Sequence, residues 1–140
     1  MTTARDIMSG STECVRTTET LVDAAKKMRD LEVGGLPICG DDDRLKGLLT
    51  DRDIVTQVVA EGKDPGSVKV EEFVAEAVTI GADDSIEEAL RTMSEHGVRR
   101  LPVIDGHELV GIVSQADVAK NLSNDNVADL VEAISKAPAN

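Results

Sequence analysis

Two stretches of the 140-residue chain carry the same chemical groups at the same spacing. "GLLTDRDIV", Gly47 to Val55, and "GIVSQADVA", Gly111 to Ala119, each set out a glycine, then a hydroxyl, then an aspartate, in three-residue steps. A glycine lets the backbone approach a ligand closely. A hydroxyl at the start of a helix stands among N–H groups with no intrahelical partner, where the helix dipole favours a phosphate. One turn on, a carboxylate can accept from both hydroxyls of a ribose, as an acidic residue does in dinucleotide folds. Gly47, Thr50 and Asp53, and again Gly111, Ser114 and Asp117, are therefore candidates for holding a phosphorylated nucleoside. The spacing has a second reading, in which the hydroxyl and the acid cap a helix with no ligand, a contribution of about 1 kcal/mol. Capping boxes usually carry Glu or Gln at the third position, so the shorter Asp in both copies tilts the expectation toward a ligand.

The elements that must position these groups are themselves duplicated. "ETLVDAAKKMRDLEVGGLPIC", Glu19 to Cys39, aligns without a gap on "DSIEEALRTMSEHGVRRLPVI", Asp84 to Ile104, with Leu21 on Ile86, Met28 on Met93 and Leu36-Pro37 on Leu101-Pro102. Leu21, Ala24, Ala25 and Met28, like Ile86, Ala89, Leu90 and Met93, recur at helical spacing. Thr20 with Asp23 and Ser85 with Glu88 fit helix starts, the latter being the better capping box. A short apolar stretch precedes each helix, and "LPIC" or "LPVI" opens a strand with a proline, suited to an edge or a strand start. A polar turn and the strand "LKGLLT" or "LVGIVS" then lead into a last helix near Asp51 or Gln115. The order β-α-β-β-α occurs twice. The division is residues 1–62 for the first repeat with its N-terminal segment, 63–122 for the second, and 123–140 for a helical tail whose Val127, Leu130, Val131 and Ile134 form one stripe. Neither repeat is large enough to be comfortable alone, so the two are expected to bury their sheets together as a pseudo-twofold pair.

Bulk properties exclude several function classes. Phe73 is the only aromatic residue, so nothing stacks on bases as single-strand nucleic-acid binders require. A formal charge of −12 opposes the counterion release that drives nucleic-acid binding and disfavours an acidic membrane surface. The start "MTTARDIMSGSTECV" lacks a basic region followed by an apolar one, and no apolar run approaches a membrane span. A cytoplasmic location is the default, with signal-independent secretion left open. His96 and His107 fall on different elements without neighbours at ligand spacing, so no metal site is expected. "GDDDR" reads as a solvated turn. No nucleophile elbow, Ser-His-Asp order or Walker loop is present, and the chain is not expected to be an enzyme. Cys14 and Cys39 are too few for a disulfide scaffold. Two small buried thiols are the preferred reading, and a Cys14–Cys39 bridge is the alternative because each lies in an expected strand.

"VGGLPICGDDDRLKGLLTDRDIV" and "VRRLPVIDGHELVGIVSQADV", matched in register, resemble a tandem pair of CBS domains, the Bateman module, over roughly residues 5 to 122. "MTTARDIM" together with "LPICGDDDRLKGLLTDRDIV" is similar more narrowly to the hypoxic response proteins of actinobacteria, stand-alone CBS pairs with no enzyme attached. The resemblance implies an α/β (α+β) tandem pair and a stress-linked regulatory role. It also implies adenine-nucleotide binding through the Gly-x-x-Ser/Thr-x-x-Asp motif in clefts between the repeats. Carried over residue by residue, Arg99 and Arg100 would serve Thr50 and Asp53, since Arg matches phosphate oxygens well. Gly34 and Gly35 would leave the Ser114/Asp117 cleft without a cation. Val15 and Ile80 would lie against adenine in the two clefts. Asp51 and the net charge favour a low-charge adenosyl ligand such as AMP over ATP, with no cofactor required. CBS pairs associate through helices, which implies a homodimer, here using the faces Leu21–Met28 and Ile86–Met93, besides a protein partner that the sequence does not name. The leading function is a sensor of an adenosyl ligand. The alternative is a ligand-free dimeric interaction protein, with or without the Cys14–Cys39 bridge.

Overall fold

The computed structural model describes residues 1–10 and 13–121. The elements run α1 (Ala4–Ile7), β1 (Val15–Arg16), α2 (Leu21–Leu31), β2 (Gly35–Cys39), β3 (Leu45–Thr50), α3 (Asp51–Ile54), β4 (Ile80–Gly81), α4 (Ile86–His96), β5 (Arg100–Asp105), β6 (Glu108–Ser114) and α5 (Gln115–Asn121). α3 runs on into a wider π-helical turn, Val55–Val59, and a short 3-10 turn covers Val70–Phe73. The β-α-β-β-α order therefore occurs twice. The stripe at Val127, Leu130, Val131 and Ile134 lies outside the described residues.

Each repeat makes one three-stranded sheet, ordered β1-β2-β3 and β4-β5-β6. The first strand of each is parallel to the second, with Val15 opposite Ile38 and Ile80 opposite Val103. The second and third are antiparallel, and both hairpins carry an irregularity at the same place, between Ile38 and Cys39 and between Val103 and Ile104. Pro37 and Pro102 lie inside the middle strands, not at an edge or strand start as the sequence suggested. The first strands are only two residues long and pair at Ile38–Cys39 and Val103–Ile104. At the prolines the middle strand has a neighbour on one side only, so the missing N–H interrupts no ladder there.

Helix ends follow local chemistry. Thr20 N–H donates to Asp23 at 3.0 Å while Asp23 N–H donates to the Thr20 hydroxyl at 3.2 Å. The Thr20 backbone and hydroxyl hold the Asp23 carboxyl below the usual carboxylate range. Ser85 accepts from Glu88 N–H, but the Glu88 side chain pairs with Arg91 on the next turn. The sequence had ranked these two starts the other way round. α4 ends on Gly97 in the left-handed region, φ 62°, and α2 ends in the same way on Glu32, φ 56°.

Packing divides the chain into two compact units that differ from the division by repeats. One is Glu13–Ala77, and the other joins residues 1–10 to residues 78–121. Leu21, Ala24, Met28, Ile38 and Leu49 form the core of the first with Val68 and Val70 from beyond the repeat. Ile86, Ala89, Met93, Leu101 and Val113 form the core of the second, together with fully buried Ala4. The apolar faces of α2 and α4 are thus occupied within their own units.

Cys14 and Cys39 form a disulfide, Cα to Cα 5.7 Å. The preferred reading of two separate thiols is therefore corrected. The parallel register pairs Cys39 with Arg16, and Cys14, just before β1, lies close enough to Cys39 for a bridge. Among the described residues no helix is long and apolar enough to cross a membrane.

Candidate functional site

β3 delivers Thr50 to the start of α3 in extended conformation, φ −117° and ψ 161°. The side chain is 2% exposed, the one buried polar residue among those described. Its hydroxyl accepts from Asp53 N–H at 3.2 Å, and its own N–H donates to Asp53 Oδ2 at 2.9 Å. The other carboxylate oxygen of Asp53 accepts from Gln57 at 3.2 Å. The second motif repeats this arrangement. Ser114 N–H and hydroxyl donate to Asp117 Oδ2 at 2.9 and 3.0 Å, and Asp117 N–H donates back to the hydroxyl at 3.2 Å. Both motifs close on themselves as reciprocal caps.

The use of Asp, which had weighed toward a ligand, does not single out the two motifs in this chain. Asp plays the capping part at Thr20/Asp23 as well, and Thr3 donates to Asp6 in the same way at 2.9 and 3.1 Å. Aspartate is the habitual cap here. Asp53→Ala would leave the N–H of buried Thr50 without its acceptor, and is expected to cost about 1–2 kcal/mol. Urea denaturation checks this, and unchanged stability would show that the carboxylate holds nothing in the free protein.

The glycines are occupied too. A methyl group built on Gly47 would lie 3.1 Å from Ala75 O and 3.4 Å from Phe73 O. On Gly111 it would collide with Ser9 O and lie 2.6 Å from Met8 Sδ. What comes close to each glycine is the chain's own backbone, in two short straps. Ser9 and Ile112 exchange N–H···O bonds of 2.9 and 3.2 Å, and Ala75 N–H donates to Lys46 O at 3.1 Å. The sequence reading missed these straps. Their signal is a further match, Ala4-Arg5-Asp6-Ile7-Met8 against Val70-Glu71-Glu72-Phe73-Val74, too short to show helical periodicity.

Val15 and Ile80, the expected adenine walls, are 0% and 4% exposed and belong to their own cores. Arg99 and Arg100 lie in the unit of the second motif. Arg100 stands directly across the ladder from Ser114, and Arg99 O accepts from Gln115 N–H at 2.9 Å. The register therefore puts Arg100 opposite Ser114 within its own unit. The equivalent positions of the first unit hold Gly35 opposite Thr50, and Gly34 O accepting from Asp51 N–H at 3.0 Å. Gln115 Oε1 is buried and has no donor among the described residues.

Residues 4–60 and 70–124 match the family model for the CBS domain, both beginning at the straps. The chain belongs to the CBS-domain family. This CBS pair is 50% identical over 135 residues to Hypoxic response protein 1 of Mycobacterium tuberculosis, covering 96% of this chain and 94% of that protein. A crystal structure of Hypoxic Response Protein I with two coordinated zinc ions superposes with a TM-score of 0.79 at 52% identity, over 87% of this chain and 100% of that one. A hexameric CBS-CP12 protein from bloom-forming cyanobacteria superposes with a TM-score of 0.78 at 31% identity, over 90% of this chain and 74% of that one. Zinc needs about four ligands drawn from Cys, His and carboxylates. Among the described residues no group of three or more such side chains is gathered, and both cysteines are bonded to each other. The described residues do not fit the metal.

Proposed function

We propose that this CBS pair is a stress-linked regulatory protein that acts as a ligand-free, self-assembling interaction module, not as a catalyst. One observation carries the reading. Every group of the repeated motif has an internal partner, the hydroxyls and aspartates as reciprocal caps and the glycines as seats for the straps. The similarity to Hypoxic response protein 1 supports a role in a response to low oxygen. A thermal-shift panel of AMP, ATP, NAD and S-adenosylmethionine at millimolar concentration tests it, and no shift is expected. A ligand far above its dissociation constant adds several kcal/mol to stability. A rise of several degrees that Asp53→Ala or Asp117→Ala abolishes would replace this reading with the sensor.

Assembly as a homodimer is the second half of the proposal. Val55 and Val59 stand one turn apart after α3, 59% and 60% exposed. Two such valines on one face suit burial against a second copy. Wild type is expected to sediment as a dimer at micromolar concentration, and Val55→Glu/Val59→Glu as a monomer. Identical sedimentation of the two would exclude this face.

The adenosyl sensor is kept as a second reading because of Gln115. Its buried Oε1 is an acceptor that a ligand N–H would satisfy, and it adjoins Ser114, which faces Arg100. On that reading AMP would act at the second motif, so Asp117→Ala would remove the shift and Asp53→Ala would not.

A further inference from the structure

The two straps seat in the same way. Ala4 N–H donates to Asp84 O at 2.8 Å, Arg5 N–H to Ala82 O at 2.9 Å, and Thr2 O accepts from Ile86 N–H at 3.1 Å. In the other unit Val70 N–H donates to Glu19 O at 2.9 Å, Glu71 N–H to Thr17 O at 3.1 Å, and Val68 O accepts from Leu21 N–H at 3.0 Å. These bonds join aligned backbone positions, so they do not distinguish one strap from the other. The apolar anchors, Ala4 and Ile7 against Val70 and Phe73, are of one chemical class and differ only in size. Yet each strap lies on the repeat that it does not belong to in sequence. Something must set that pairing.

The charges differ between the two seats. Arg5 Nη2 lies 2.9 Å from Asp105 Oδ2 and 3.5 Å from Asp83 Oδ1. The residue aligned with Arg5 in the other strap is Glu71. In the first repeat Thr18 and Gly40 occupy the places of Asp83 and Asp105. The Arg16 guanidinium donates there to Gly40 O at 2.9 Å and pairs with Asp43 at 2.6 Å. Glu71 on the second repeat would meet two carboxylates, and Arg5 on the first repeat would meet another guanidinium. We infer that Arg5, through Asp83 and Asp105, is the pairing determinant that directs the N-terminal strap to the seat of the second repeat. Exposed ion pairs stabilise little on their own. Their use here is discrimination, in which repulsion in the wrong pairing matters as much as attraction in the right one.

Amide hydrogen exchange on the full chain tests this. The amides of Ala4, Arg5 and Ile112 report the strap, and those of β2 and β3 report that the other unit remains folded. Arg5→Glu is expected to speed exchange at the strap amides by roughly tenfold or more, and neutral Arg5→Gln by only about threefold. Arg5→Glu/Asp105→Arg is expected to restore wild-type protection. Unchanged protection in Arg5→Glu, equal effects of Glu and Gln, or no recovery in the double variant would each overturn the assignment. If Arg5→Glu fails to fold, the double variant decides in the same way, by recovering protection or not.

Discussion

Replacing Cys14 and Cys39 together by serine is expected to lower stability by about 3.5 kcal/mol. The bridge joins residues 25 apart in sequence. Closing a loop of that length in the unfolded chain removes entropy worth about 3.5 kcal/mol at 25 °C. Among the described residues β1 is otherwise joined to its sheet by two paired residues, the 3.3 Å bond from Thr17 N–H to Cys39 O, and Arg16 on Gly40 O. The closed loop contains α2, whose Leu21, Ala24 and Met28 belong to the core, so the loss falls on the whole Glu13–Ala77 unit. In a thermal scan the midpoint should fall by on the order of 10 °C. A dithiol reductant should lower the wild-type midpoint by a similar amount and leave the double serine variant where it was. If the variant melts with the oxidised protein, the loop is already restricted when unfolded and the bridge contributes nothing. The result bears on location as well. Disulfides persist in oxidising compartments and are rare in the cytosol, so the bridge and the default cytoplasmic expectation pull in opposite directions.

The duplicated architecture was legible because it is written in long, periodic signals. Leu21, Ala24 and Met28 against Ile86, Ala89 and Met93 mark two helices whose buried faces are the ones observed. The hydroxyl–aspartate pairs were found at once, but Asp in place of Glu does not set them apart, since Asp caps other turns of this chain as well. Thr20/Asp23 lay in view as an internal control, and its geometry is that of Thr50/Asp53. The straps were missed for another reason. Four or five residues cannot display a helical repeat, and their contacts are with the body of the other repeat, far away in sequence. The disulfide likewise depends on a parallel pairing of β1 with β2, a tertiary fact that the separation of two cysteines does not encode. Local chemistry was readable here, and what joins distant segments was not.

Gly111→Ala is expected to be far more damaging than Gly47→Ala, although the two glycines hold the same place in the same motif. At Gly111 the added methyl collides with the backbone oxygen of Ser9, and meets Met8 Sδ and Cγ at 2.6 and 3.0 Å. The sulfur can swing aside, but Ser9 O is held by the 3.2 Å bond from Ile112 N–H. The strap must move, giving up both Ser9–Ile112 bonds and part of the burial of Ile7 and Met8 against the core. A loss of about 3 kcal/mol is expected, the upper end for overpacking. At Gly47 the nearest atoms stand at 3.1 and 3.2 Å and need shift by only tenths of an ångström, for a loss of about 1 kcal/mol. The closer approach of the Ser9 backbone sets the difference between the seats, and residue type adds to it. Met8 reaches over Gly111, whereas its counterpart Val74 is 45% exposed and leaves Gly47 facing backbone alone. Urea midpoints of the two variants, with exchange at Ile112 to locate the damage, decide the matter. Wild-type stability in both would return the glycines to a role in binding a ligand. Greater harm from Gly47→Ala would mean that the linker strap, not the N-terminal one, is the tighter seat.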